Sequence, residues 1–340
     1  MKYIAVDLFS GCGGMSEGLR QAGFNVIAAV EIDKHAAMTY RLNHHDTILF
    51  EEDIRSLSTD RIKDILNGQR LQLLAGCPPC QGFSSIRRLN RKKAVEDERN
   101  DLILEFLRFV RELEPLTIMM ENVPGIIRYH LFHEFVEALE ELGYGPRFEI
   151  VDAADYGVPQ RRRRLVLVGS VFGGLDVMKC KMEIVTVRDA IGGLENVCET
   201  QDPLHKIFPK HSSRIQEMIE KIPKNGGSRR DLPPEDQLKC HKRQNVGFND
   251  VYGRLRWDDV ASTITGGCLN PSKGRFLHPE ENRCISAREA ALLQSFPPWY
   301  EFAIDVPRAS LASQIGNALP PKFCFVHTRS IYGHLHECAG

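Results

Sequence analysis

No stretch of the 340-residue sequence approaches the roughly 20 consecutive apolar residues that a membrane-spanning helix needs, and the chain reads as soluble and globular. A cleavable leader is not expected either. The first seven residues place Asp7 inside their apolar run, no small-residue cleavage pattern follows, and the segment reads as a first strand. Without export, the ten cysteines are expected in a reducing, cytoplasmic setting. They are scattered, and only Cys77 and Cys80 stand as a CxxC pair. A four-ligand zinc site would need a second pair beside them, and none is obvious, so no metal is expected. Internal repeats and low-complexity tracts are absent. So is an excess of either charge: 44 Lys and Arg against 45 Asp and Glu leave a net charge of −1, which alone argues for no polyanionic partner.

The distribution of charge is more telling. Between positions 100 and 150 there are ten acids and four Lys or Arg; between 206 and 243 there are ten Lys or Arg and five acids. A basic middle segment suits phosphates, although a solvated surface would look the same. The length allows one large α/β domain and a smaller one. Strand-like runs at 3–9, 25–32, 47–50, 71–75, 116–120, 148–153 and 165–169 alternate with helical spacing at 13–22, 34–44, 102–113 and 132–142. Such repeated β-α units predict a doubly wound, mostly parallel α/β sheet, with ligands beyond the carboxyl ends of its strands. After about residue 172 the pattern breaks into a loop-rich region, and helical spacing returns at 286–294 and 321–334.

Chemistry-bearing residues cluster at the expected strand ends. Phe9, Gly11, Gly13 and Gly14 form a glycine-rich turn from the first strand into a helix, which suits a dinucleotide, a nucleotide, S-adenosylmethionine or merely a tight turn. Glu31, Ile32 and Asp33 close the second strand about 20 residues on, where an acid accepts from ribose hydroxyls. Asp53 and Ile54 follow the third, where a carboxylate meets an adenine amino group. Each acid alone could instead cap the next helix. Cys77-Pro78-Pro79-Cys80-Gln81-Gly82-Phe83-Ser84 leaves the fourth strand and Glu121-Asn122-Val123 the fifth. Gln160, Arg162 and Arg164 precede the last strand, and their alternate spacing directs side chains to one face of an extended segment.

The sequence resembles the DNA cytosine-5 methyltransferase family of bacterial restriction-modification type. The resemblance spans nearly the whole chain and rests on five ordered motifs: Pro79-Cys80, Glu121-Asn122-Val123, the Gln160–Arg162–Arg164 spacing, the run from Arg288 to Pro297, and Gln314-Ile315-Gly316-Asn317-Ala318. It implies a Rossmann-like catalytic domain at 1–172 plus 282–340 and a target-recognition domain at 173–281. It implies S-adenosylmethionine as methyl donor, held by Phe9, Gly11, Gly13, Gly14, Glu31, Ile32, Asp53, Ile54, Pro79 and Asn317. Cys80 would be the nucleophile. Glu121 would assist at ring nitrogen 3, with Arg164 steadying it and Arg162 positioning the loop around Cys80. Duplex DNA would be the substrate, touched by Gln81, Ser84, Arg229, Arg230, Arg243 and Thr263, with 84–100 as a basic lid. The absence of added domains points to a stand-alone bacterial or phage enzyme, with a cognate restriction endonuclease as a functional partner. A tRNA cytosine-5 methyltransferase is the alternative within the same family; a thiol–disulfide protein would need neither Glu121 nor the Arg run.

Overall fold

The computed structural model describes residues 2–79, 101–238 and 250–339. By internal contacts the chain forms two compact units. One holds Met1–Tyr156, Arg163–Met182 and Leu319–Gly340; the other holds Gly157–Arg162 and Glu183–Ala318.

The first unit is built on seven strands: β1 (Ile4–Leu8), β2 (Asn25–Val30), β3 (Ile48–Phe50), β4 (Leu73–Gly76), β5 (Thr117–Asn122), β6 (Arg147–Asp152) and β7 (Arg163–Ser170). Their order in the sheet is β3-β2-β1-β4-β5-β7-β6. The pairs β1–β2, β2–β3, β1–β4 and β4–β5 are parallel, and β7 runs antiparallel to both neighbours. Strand order reverses beside β1, between β2 and β4, which is the topological switch point where such sheets open a crevice.

Alternation along the strands separates the two faces. Val6, Leu8, Leu74, Ile118 and Met120 enter one core, with helices α4 (Leu102–Leu113) and α5 (His130–Glu141); the earlier helices are α1 (Gly14–Ala22), α2 (Lys34–Asn43) and α3 (Asp60–Leu66). The expected apolar stripe of α4 is the buried one: Leu102, Ile103, Phe106, Leu107, Phe109, Val110 and Leu113. Asp7 faces the other side, where Ser16 of α1 donates to its Oδ2 at 2.6 Å. The C-terminal helix α6 (Pro321–Ala339) packs against α1, and its Tyr332 ring lies 4.8 Å from Tyr3.

The second unit has short helices at Val187–Ile191, Ser213–Lys221, Ala287–Leu293 and Arg308–Asn317. Cationic side chains bonded to backbone carbonyls knit it together. Arg254 is fully buried and donates to the carbonyls of Ile219, Ile222, His278 and Glu281. Arg283 forks onto Glu289 at 2.8 Å from each nitrogen, and Glu289 also closes the capping box on Ser286. This explains why Arg-Glu-Ala-Ala begins a helix there: Glu289 satisfies the helix start, while Arg288 pairs with Asp202.

Gly316 belongs to the same framework. A Cβ added there would lie 1.9 Å from the carbonyl carbon of Thr265, so two backbones approach where only glycine fits. Gly316→Ala must therefore push the 265–266 backbone away, at a cost of about 3 kcal/mol or more. A lowered urea midpoint with loss of protease resistance in 183–318 is expected; an unchanged midpoint would show that the close approach is not required.

Candidate active site

The strand directions bring one set of side chains to one edge of the first unit. The carboxyl ends of β1, β2, β3, β4 and β5 carry, respectively, the glycine turn, Glu31-Ile32, Asp53-Ile54, Pro78-Pro79 and Glu121. Because β7 is antiparallel, its amino end, with Arg164, reaches the same edge.

At β1 the chain reverses through left-handed conformations at Phe9 (φ 62°), Gly11 (φ 57°) and Gly13 (φ 94°). Gly13 is the residue before α1, and no atom lies within 4 Å of a Cβ built at Gly11, so the turn has an open flank. Glu31 grips this turn: its Oε2 accepts from Gly11 N at 2.8 Å and its Oε1 from Asp33 N at 2.7 Å. Burial raises its pKa, against the lowering effect of those two backbone bonds. Asp33, not Glu31, caps α2, accepting from His35 N and Ala36 N. Asp53 caps no helix either; α3 starts after Thr59, and Asp53 Oδ1 accepts from Arg55 N. The capping explanation for both acids is therefore excluded. Ile32 is left 66% exposed, an apolar side chain open to a planar ring, whereas Ile54 is buried.

At the centre of the edge, Glu121 is 7% exposed and its Oε1 meets Arg164 Nε at 2.7 Å. Val166 stands opposite Glu121 in the ladder, so Arg164, two residues earlier, projects on the same face. Asn122 Nδ2 donates to the carbonyl of Pro78 at 2.9 Å and fastens the β4 exit to β5. Nothing in the sequence marks this role for Asn122, because its burial and its reach to Pro78 appear only in the fold.

Cys80, Gln81, Ser84, Arg243 and the basic stretch 84–100 lie outside the described residues. Arg162 parts from Arg164: it lies in the second unit, 3% exposed, with NH1 on the carbonyls of Ile264 and Gly316 and NH2 on that of Ala318. Gln160 beside it bonds Gln294, whose amide binds the carbonyls of Ile315 and Ala318. The Gln-x-Arg-x-Arg spacing thus divides its work: two residues brace the Gly-Asn-Ala segment and the third reaches the carboxyl. Asn317 is exposed on the second unit, donating to Ser313 Oγ at 3.0 Å. In the same unit Thr263 Oγ1 donates to the Arg161 carbonyl, Arg229 is 4% exposed, and Arg230 is exposed.

No helix among the described residues is long and apolar enough to cross a membrane. The sequence of M.HgiDII, a type II methylase of Herpetosiphon aurantiacus, is 36% identical over 339 residues, covering 96% of this chain and 94% of that protein. The type II methyltransferase M1.HphI of Haemophilus parahaemolyticus is 35% identical over 328 residues, covering 94% and 84%. A candidate DNA modification methyltransferase encoded within a prophage of E. coli has a crystal structure similar to this one. Its TM-score is 0.77 at 27% identity, over 98% of this chain and 99% of that one. The S. pombe Dnmt2 methyltransferase shares the fold, with a TM-score of 0.68 at 18% identity over 99% of each chain. The family model described as C-5 cytosine-specific DNA methylase matches residues 3–333, and with these relatives over most of its length the chain belongs to the C-5 cytosine-specific DNA methylases.

Proposed function

We propose that this enzyme methylates carbon 5 of a flipped-out cytosine at a specific duplex DNA sequence, through a covalent bond between Cys80 and carbon 6. The observation that carries this reading is the Glu121–Arg164 pair across β5 and β7, with β5 beside the strand whose exit leads through Pro79 to Cys80. Carbon 5 of the intact aromatic ring is a poor nucleophile. Addition of the Cys80 thiolate to carbon 6 breaks the aromaticity and leaves an electron-rich enamine. Proton donation from Glu121 at ring nitrogen 3 draws electron density from carbon 6 as sulfur attacks. Arg164 orients that carboxyl, and Asn122 tethers the loop that presents the thiol. Once carbon 5 carries the methyl group, its proton passes to water or another base, the electron pair reforms the carbon 5–carbon 6 double bond and expels the thiolate, and the proton at nitrogen 3 returns to Glu121. A cytosine stacked in a duplex cannot reach such a strand end, so the base leaves the helix first.

S-adenosylmethionine, when bound, supplies the electrophilic methyl that carbon 5 takes. The switch-point edge fits it: an open glycine turn, a Glu31 carboxylate fixed by two backbone amides, an exposed Ile32, and Asp53 on the next strand. Gly14 at the start of α1, Phe9, Ile54 and Pro79 would complete the cradle. Arg162 acts as a positioning residue through the carbonyls it binds. The proposed functional division assigns 173–281 to reading DNA and the rest to catalysis, while 282–318 packs within the second unit as its support. Arg230, presented to solvent, is a stronger candidate for DNA contact than buried Arg229. Names of the type II relatives support a cognate restriction endonuclease as the functional partner.

The central test follows tritiated methyl from S-adenosylmethionine into duplex DNA and into tRNA, with wild type and Cys80→Ser. Label on DNA cytosine that vanishes in the variant, with cofactor binding intact, is expected; label on tRNA alone would overturn the substrate. A 5-fluorocytosine at the target should trap the enzyme covalently, and an active enzyme that is not trapped would refute the adduct. Glu121→Gln and Arg164→Ala should each lower kcat by about 10²–10⁴-fold. Arg164→Ala leaves Glu121 without its cation, so equal rates for that variant and wild type would remove Arg164 from the mechanism. Glu31→Ala should weaken cofactor binding about 10- to 100-fold by calorimetry, the worth of a charge-assisted hydrogen-bond pair; an unchanged Kd would place the ribose elsewhere.

A further inference from the structure

We propose that Cys77 is a positioning residue for the catalytic carboxyl, its thiol holding Glu121 from the β4 side while Arg164 holds it from the β7 side. The inference rests on the reading of Glu121 given above. The two cysteines of the CPPC sequence then have separate tasks, one on the cytosine and one on the acid that activates it.

The ladder places the groups. In the parallel pair β4–β5, Gly76 stands beside Met120, so one residue further along each strand Cys77 and Glu121 emerge as neighbours on a common face. In the sheet β5 lies between β4 and β7, and the two neighbours therefore approach Glu121 from opposite flanks. From β7, Arg164 Nε meets Oε1 at 2.7 Å. From β4, Cys77 stands beside the same carboxyl group, and after burial the charge of Glu121 is among the causes that push its thiol upward. The backbone of Cys77 is fixed in turn: its N–H donates to the Leu8 carbonyl at 3.3 Å, and the next carbonyl, of Pro78, takes the Asn122 amide.

The thiol has one available state. Desolvation, followed by the negative charges of Glu121 and Asp7, pushes Cys77 well above the ordinary thiol range, so it keeps its proton through neutral pH. A protonated thiol beside a carboxyl is a donor, weak but directional. Asp7 sits one row below on the same face, fully buried, with its pKa raised to about 7 mainly by desolvation.

A space-filling role and a donor role differ in what replaces the sulfur. Cys77→Ala and Cys77→Val remove the donor, Ala with less volume than cysteine and Val with more, so that the two bracket the original size; Cys77→Ser keeps a donor in less volume. Steady-state kinetics on duplex DNA, cofactor Kd by calorimetry and thermal melting would be measured for all three and for Glu121→Ala. Loss of one hydrogen bond should lower kcat about 3- to 10-fold in the Ala and Val variants. KM for DNA, cofactor Kd and the melting temperature should stay unchanged, and Ser should return kcat to within about twofold of wild type. Wild-type kcat in Val, or a Ser variant as slow as Val, would overturn the proposal. Full activity in Glu121→Ala would instead overturn the reading of Glu121 on which it rests, and that outcome is separate from any result at Cys77.

Discussion

The arrangement of this site depends on the direction of a single strand. β7 enters between β5 and β6 antiparallel to both, so its amino end lies beside the carboxyl end of β5. Were β7 parallel, its eight residues at roughly 3.3 Å each would carry Arg164 some 20 Å toward the opposite edge. Glu121 would then be a nearly buried carboxyl with no cation. In the observed direction Arg164 arrives two residues before Val166, the ladder partner of Glu121, and on the correct face. The ion pair is thus a consequence of sheet topology. It needs no flexible loop to form.

Partial burial sets the value of that pair. Both side chains retain little exposure, 14% for Arg164 and 10% for Glu121, so water screens them weakly and the guanidinium geometry is kept. A buried pair of this kind is poor evidence of stability, because desolvation offsets much of its attraction. It is better evidence of orientation, since few rotamers let Nε and Oε1 stay 2.7 Å apart. The second unit uses cations differently. Arg254 and Arg162 donate to backbone carbonyls rather than to carboxylates, ordering loop backbone where regular ladders are few.

Much of the first unit was legible in the sequence because its elements obey simple periods. The α4 stripe, the Gly143 stop after α5 and the proline before β5 each carry a local signal. α3 was missed: it is seven residues long and buries only Ile62 and Leu66, too little for a periodic pattern. The same holds in the second unit for Ser213–Lys221, which buries only Met218 and Ile219. Of the site residues, Glu121, Arg164 and the glycine turn could be read at strand ends. Which acid caps α2 could not, because Glu31 and Asp33 are equally suited by type and only the fold shows Glu31 turned back to Gly11. Nor could the different destinations of Arg162 and Arg164, since alternation fixes a shared face only while the chain stays extended within one unit.

A motif in a linear sequence therefore mixes residues that meet substrate with residues that fix the backbone carrying them. Gly316 and Arg288 illustrate the second kind: one permits two backbones to approach, the other is committed to Asp202. Asn122 lies between the two kinds. Its side chain touches no reacting atom in the proposed mechanism, yet through Pro78 it links the strand that carries the acid to the loop that leads to the nucleophile. That one amide hydrogen bond fixes the β4 exit at Pro78 against the end of β5, a short connection between adjacent parallel strands. Covalent addition to a ring, as proposed, needs the proton donor and the nucleophile held together to within a fraction of an ångström, and a tie from Asn122 to Pro78 across neighbouring strand ends suits that need.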